Sequence, residues 1–274
     1  MALRINTNIA AINTHRQLLG TESKLGLSME KLSSGFRINR ASDDAAGLAI
    51  ANRLRTNVRS LTVASRNVTE AKSMLQIAEG SANQIENILE RMKELATQAA
   101  SENSGKDVDK LDAEFQALID EIDRIVDDTE YQNTPLLDGS FSGSFQVGSG
   151  GAAADQLAIT IGQLDSTAEG LGLASSSVSS HANAVTALGT IDDAIDTLAD
   201  VLGNIGASMN RLDYTYSNLQ VQIENFSASE SAIRDVDMAS EMVNFTKNQI
   251  LLQAGTAMLA QANMSTQSVL SLFG

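Results

Sequence analysis

The 274-residue sequence has no cysteine, no tryptophan and a single proline, Pro135. Without cysteine there are no disulfides, no thiolate zinc sites and no catalytic thiols. One proline in a chain of this length leaves room for long helices that no pyrrolidine ring interrupts. The opening stretch MALRINTNIAAINTHRQLLG has no continuous apolar core and no A-x-A-like cleavage site, so it does not read as a secretory signal peptide. No apolar run reaches the length of a membrane span, which predicts no membrane insertion. The two histidines, His15 and His181, lie far apart in different predicted elements and make neither a metal pair nor a catalytic base with a partner.

Basic residues are also scarce. The net charge of −15 argues against nucleic acid as a partner, because phosphate binding needs a basic surface. The charge is unevenly placed: residues 1–69 carry ten Lys/Arg against four Asp/Glu, and the rest carry nine against thirty. The acidic excess reads as a solvated shell that keeps the protein soluble. A second reading lets the basic N-terminal third meet acidic surfaces of neighbouring copies.

What is present in abundance is heptad periodicity. Leu54, Leu61, Val68, Leu75, Ala82 and Leu89 recur every seven residues, beside Ala64, Ala71, Ala78, Ile85, Met92 and Ala99. Two such rows predict a coiled-coil seam, and the alanines in it predict close helix approach. Residues 43–100 would make a rod about 85 Å long, with Ser42 as N-cap, Asp43 and Asp44 in the first turn and a stop near Ser101–Gly105. A second long helix carries Leu188, Ile195, Leu202, Met209, Tyr216 and Ile223 beside Ile191, Leu198, Ile205, Leu212, Leu219 and Phe226. A shorter helix between them places Leu111, Phe115, Leu118, Ile122 and Ile125 on one face. Three helices with complementary stripes predict an antiparallel bundle.

Residues 139–182 break the pattern. They are rich in Gly, Ser and Ala and contain two alternating runs, Ser144–Val147 and Leu157–Ile161, which predict a hairpin or two on a surface segment. The expected fold class is mainly α: a long antiparallel helical bundle with the terminal helices paired, plus a small β-hairpin region in mid-chain.

The termini are helical in period and apolar. Ile5, Ile12 and Leu19 form one row near the start, with Leu18, Leu25 and Leu32 offset beside it. Near the end, Val236, Val243, Ile250, Ala257 and Met264 run beside Met238, Phe245, Leu252 and Leu259. The last segment is apolar over much of its circumference and nearly uncharged after Lys247, so it needs burial on several sides. Either the two ends pack on each other, or other copies of the chain bury them. In the second case residues 1–35 and 231–274 would order only on assembly.

The residues offer little chemistry. Asp107, Asp109, Asp112 and Glu114 hint at a calcium loop, but its fifth position is Leu111 and its sixth is Asp112 where glycine is needed. Gly148-Ser149-Gly150-Gly151 lacks the Lys-Ser/Thr of a phosphate loop. No nucleophile–base pair is legible, so the expectation is a non-enzyme without cofactor or metal.

Three long stretches carry a resemblance. MALRINTNIAAINTHRQL at the start, LSSGFRINRASDDAAGLAIANRLR at 32–55 and ILLQAGTAMLAQANMSTQSVLSLFG at 250–274 resemble bacterial flagellins closely, as does NVTEAKSMLQIAEG at 67–80. The resemblance covers roughly residues 1–140 and 183–274 and implies a short form lacking the outer variable domains. It implies an inner coiled coil of residues 1–42 and 230–274 at the filament core, a bundle of residues 43–138 and 183–229, and an outward segment of residues 139–182. The function it implies is polymerisation into the flagellar filament for motility, in a helical homopolymer outside the cell. It further implies export of the unfolded chain through the flagellar secretion channel, and contacts with an export chaperone, cap and junction proteins.

Assembly would then use Ile5, Ile12, Leu19, Leu25, Leu32, Val243, Phe245, Ile250, Leu252 and Leu259. The resemblance also implies recognition by a host Toll-like receptor through Leu89, Arg91, Leu95 and Gln98, with Glu114 at the acidic position. Arg91, Leu95 and Gln98 stand at i, i+4 and i+7, which predicts one shared face with an exposed leucine beside a charge. A hook–filament junction protein shares the architecture, and a non-flagellar coiled-coil scaffold shares the periodicity; both remain alternatives at this point.

Overall fold

A computed structural model describes residues 7–101 and 108–273, with side chains as far as residue 265. Ile5 and Asp107 of the sequence reading therefore lie outside the described residues. The helices are α1 (Ile9–Ser34), α2 (Ala45–Ala99), α3 (Val108–Asp128), α4 (His181–Arg234) and α5 (Met238–Phe273). The strands β1 (Glu130–Tyr131), β2 (Thr134–Pro135), β3 (Ser142–Gln146) and β4 (Gln156–Thr160) form two antiparallel hairpins between α3 and α4. The mainly α class and the small mid-chain β region are as the sequence predicts. The chain divides into two compact units, Met1–Thr56 with Asn225–Gly274, and Asn57–Glu224.

The Asn57–Glu224 unit is a bundle of α2, α3 and α4. In α2 every member of both heptad rows from Leu61 to Ala99 is buried. Ladder contacts fix α2 against α4: Gln220 donates to the Ser65 hydroxyl at 3.0 Å, Lys72 pairs with Asp213, and Lys93 pairs with Asp192 at 2.5 Å. The two residue numbers of each pair add to the same total, so the helices are antiparallel and the register never slips. The ion pairs are partly exposed and each contributes less than about 1 kcal/mol; the buried seam holds the bundle, at roughly 1.5–3 kcal/mol per large apolar side chain.

Two rows sit differently from the sequence reading. In α3 the buried line is Phe115, Ile119, Ile122 and Val126, while Leu111, Leu118 and Ile125 are half-buried. In α4 the Ile191–Leu219 row, which Ala184 extends by one heptad, is buried as expected, but its companion is Ala187, Ala194 and Val201. The Leu188, Ile195, Leu202, Met209 row is half-buried and Tyr216 is exposed. Alanine scores low on size, so a row of leucines draws the eye first. A helix meeting two close neighbours turns its small residues inward because only they fit.

The hairpin region is less of a loop than its composition suggests. Leu157 and Ile159 of β4 point inward, and Ile161, Leu164, Leu171, Leu173 and Val178 are buried as well. Polar clamps tie the same segment to α3: Ser166 donates its backbone N–H and its hydroxyl to Asp123, both at 2.8 Å. The Val178 N–H donates to Asp112 at 2.7 Å. The β1–β2 hairpin, which the sequence reading did not separate from the bundle, turns on Gln132 (φ 51°) and Asn133 (φ 61°), both in the left-handed region that a two-residue hairpin turn requires.

The other unit contains α1, α5 and the adjoining ends of α2 and α4. Helix α1 starts at Asn8, whose side chain accepts the Ala11 N–H, and stops at Gly35 in the left-handed conformation (φ 74°). Helix α5 starts at Asp237, whose carboxylate accepts the N–H groups of Ala239 and Ser240. The cap of α2 is Asp44, which accepts the Gly47 N–H at 2.8 Å; the expected cap, Ser42, lies in the turn before it. The carboxylate of Asp43 folds back onto that turn and accepts the N–H groups of Asn39 and Arg40 at 3.1 and 2.9 Å.

Candidate assembly face

Helices α1 and α5 lie antiparallel and close. Asn8 donates to the Ala262 carbonyl at 2.9 Å at one end. At the other, Arg37 N–H donates to Arg234 O at 2.6 Å and Val236 N–H to Gly35 O at 3.0 Å, closing the pair with the Phe36–Asp235 bridge. The Arg234 guanidinium lies 4.2 Å from the centre of the Phe36 ring, a cation–π contact at the base. Midway, a Cβ on Gly255 would come within 2.8 Å of Leu18 Cδ1. The absence of a Cβ there lets the tip of Leu18 seat directly against the α5 backbone.

Burial separates the two apolar rows on each terminal helix. On α1 the inner row is Ala11, Thr14, Leu18, Thr21, Leu25, Ser28 and Leu32. On α5 it is Phe245, Asn248, Leu252, Gly255, Leu259 and Ala262. Of the sequence-derived assembly residues, Leu25, Leu32, Phe245, Leu252 and Leu259 therefore hold the two helices to each other. Ile12, Leu19, Val243 and Ile250 point outward; Val243 is 69% exposed and Ile250 60%. Further apolar residues, absent from the sequence-derived set, share that exposure: Ile9, Leu27, Leu251 and Met258 among them. The signal that could have found them is the near-uniform apolarity of the C-terminal segment, which no single two-row pattern exhausts.

A pair of helices that closes one apolar row and leaves a second in water is half of an interface. Contiguous exposed apolar surface of this kind marks association, because each such side chain gains roughly 1.5–3 kcal/mol on full burial. Met242, Val243, Thr246, Lys247, Ile250 and Leu251 line a shallow groove along α5 with a volume near 500 Å³. Among the described residues, no helix is long and apolar enough to cross a membrane, and no group of three His, Cys, Asp or Glu is placed to hold a metal ion.

Residues 5–142 match the bacterial flagellin N-terminal helical region, and residues 188–273 match the bacterial flagellin C-terminal helical region. The chain belongs to the bacterial flagellin family. It is 43% identical to a flagellin of Halalkalibacterium halodurans, over 98% of both chains. It is 40% identical to a flagellin of Bacillus subtilis, over 98% of this chain and 99% of that one. Flagellin FlaB2 of Treponema pallidum is 41% identical over the same shares. The crystal structure of Bacillus cereus flagellin, 31% identical, matches 60% of this chain and 94% of its own, with a TM-score of 0.49.

The second set of flagellin-type residues sits on the bundle. Arg91, Gln98 and Glu114 are exposed, but Leu95 is only 1% exposed and Leu89 is wholly buried. The expectation of an exposed leucine beside Arg91 is thus corrected. Spacing puts Leu95 and Arg91 on one side of α2, but α2 is packed by α3 as well as α4, so its buried arc takes in Leu95. Arg91 donates to Glu94 at 2.8 Å and across to Glu114 on α3 at 2.9 Å. Those two hydrogen bonds, Glu94 first, hold the guanidinium above its usual proton affinity.

Proposed function

We propose that this chain is the structural subunit of a flagellar filament and that it polymerises through the outward face of α1 and α5. The carrying observation is the uncovered apolar row of Ile12, Leu19, Val243 and Ile250 on helices already paired through their other row. In this reading residues 1–42 and 230–274 form the inner layer of the polymer, residues 43–138 and 183–229 the bundle outside it, and residues 139–182 face outward. Subunits leave the cell unfolded through the flagellar secretion channel, served by an export chaperone, and meet cap and junction proteins at the growing filament. The family assignment, with relatives matched along 98–99% of their length, supports a filament subunit over a scaffold. Monomer added to sheared filament seeds should elongate them without limit, read by light scattering and electron microscopy. A short collar on the seeds, or soluble oligomers of fixed size, would defeat the proposal.

We further propose that Arg91, Gln98 and Glu114 form the charged contact for a Toll-like receptor of the host. The support is that these three side chains are exposed and that Arg91 and Glu114 pair with each other at the surface, where a partner could reach both. Leu89 and Leu95 act only by holding α2 in place. Arg91→Ala should lower potency at least tenfold, equivalent to about 1.4 kcal/mol, in a receptor-reporter titration with folded monomer. Equal potency of variant and wild type would remove Arg91 from the contact.

A further inference from the structure

The sequence has nine methionines and no cysteine. Five of the nine, Met29, Met238, Met242, Met258 and Met264, lie on α1 and α5, each between 49% and 61% exposed. Met74 and Met92 are buried in the bundle seam. A thioether exposed to this degree is open to peroxides, and no thiol in the chain competes for them. Each of the five belongs to the apolar surface that the assembly reading covers with neighbouring subunits.

We infer that these five methionines are a modification site at which peroxide oxidation of the free subunit blocks its incorporation. The thioether sulfur attacks one oxygen of hydrogen peroxide, the O–O bond breaks, an S–O bond forms, and the departing hydroxide takes up a proton to leave as water. Sulfur loses two electrons and the peroxide gains them. The product is a polar sulfoxide whose oxygen demands a hydrogen bond. On a surface facing water that change costs the monomer little. On the same surface closed by another subunit, the oxygen is buried without a donor. Oxidation therefore selects against assembly and leaves the bundle folded. Incorporated subunits are shielded, because the same burial that drives polymerisation excludes the oxidant. A dithiol reductant acting on the sulfoxide reverses the block: the dithiol becomes a disulfide and the oxygen leaves as water.

The inference rests on the assembly reading. Its test treats monomer with hydrogen peroxide, locates the added oxygen by peptide mass mapping, and measures the free-subunit concentration at which seeds stop growing. The expected result is oxygen on Met29, Met238, Met242, Met258 and Met264 but not on Met74 or Met92, with that concentration raised at least tenfold. Reduction by a methionine sulfoxide reductase should restore it. A variant with all five changed to leucine (Met29→Leu, Met238→Leu, Met242→Leu, Met258→Leu, Met264→Leu) should assemble alike before and after peroxide. Oxidised wild type that elongates seeds at the untreated concentration overturns the inference, as does a five-leucine variant that peroxide still inactivates. Should that variant not assemble at all, reductase rescue of wild type decides: recovery supports the inference and no recovery overturns it. Untreated wild type that does not elongate seeds overturns the assembly reading itself.

Discussion

At the scale of single residues, two positions at the start of α2 carry distinct tests. A Cβ on Gly47 would stand 2.9 Å from Ile38 Cδ1 and collide with the Asp44 carboxylate that caps the helix. Ile38 is buried, so it has little room to move. Alanine gains about 1 kcal/mol of helix propensity over glycine, but overpacking costs typically 1–3 kcal/mol and displacing the cap about 1 kcal/mol more. Gly47→Ala should therefore lower stability by about 1–3 kcal/mol in chemical denaturation, against the usual direction for a helical glycine. Asp43 carries a pH dependence. Its hydrogen bonds from the Arg40 N–H, then the Asn39 N–H, hold its pKa below the ordinary value of 3.8. A depressed folded pKa means that the unfolded chain binds the proton first. The stabilisation is present above that ordinary value and is lost as pH falls through the lower folded one. Wild type should lose stability relative to Asp43→Asn on acidification from about pH 5 to about pH 2, and the two should converge at the acid end. Parallel curves would show that Asp43 holds nothing.

At the scale of elements, the sequence exposed its heptads but not the arc each helix buries. Both α2 rows were legible because long helices with alanine at alternate seam positions have few other ways to pack. The rows of α3 and α4 were harder. Leu118 and Ile119 are equally apolar neighbours, and only the seating of α3 against its partners decides that Ile119 turns in. The buried arc of α2 is wider than two rows, which is why Leu95 was expected at the surface and is found in the core. That placement has a consequence: Leu95→Ala should cost about 2–5 kcal/mol of bundle stability, seen as a lower denaturation midpoint, where a surface leucine would lose almost nothing. The mid-chain segment splits the same way. Its glycines and serines advertise a loop, yet alternate residues of β4 are buried, and the longest unbroken exposed stretch is the tip at residues 149–154. Gly151 has open space around it, whereas a Cβ on Gly150 would meet Asp155 at 2.5 Å. A short flexible insertion after Gly151 should leave both the melting transition and filament growth unchanged. Loss of filaments from a normally melting monomer would make the tip an assembly contact.

At the scale of the whole molecule, the terminal helices pair with each other and still leave apolar surface for other copies. The sequence allowed the ends to pack on each other or on other copies, and the chain has enough apolar surface to do both. One row of each terminal helix closes the α1–α5 pair and the other stays in water. The charge asymmetry has a partly internal use: Arg40 is held by Glu30 and Arg55 by Glu230 within the same unit. The apolar outer row thus remains the main feature that a neighbouring subunit would satisfy. The most direct test places charge there without disturbing the monomer. In Val243→Asp with Ile250→Asp both new carboxylates point into water, so the monomer should keep its helix content and melt as wild type does. Buried by a neighbouring subunit they would be unpaired charges, at a cost of several kcal/mol each. The measurement is seeded elongation of this double variant beside wild type. The account predicts a folded monomer that does not extend seeds; a variant that extends them at the wild-type rate would contradict it.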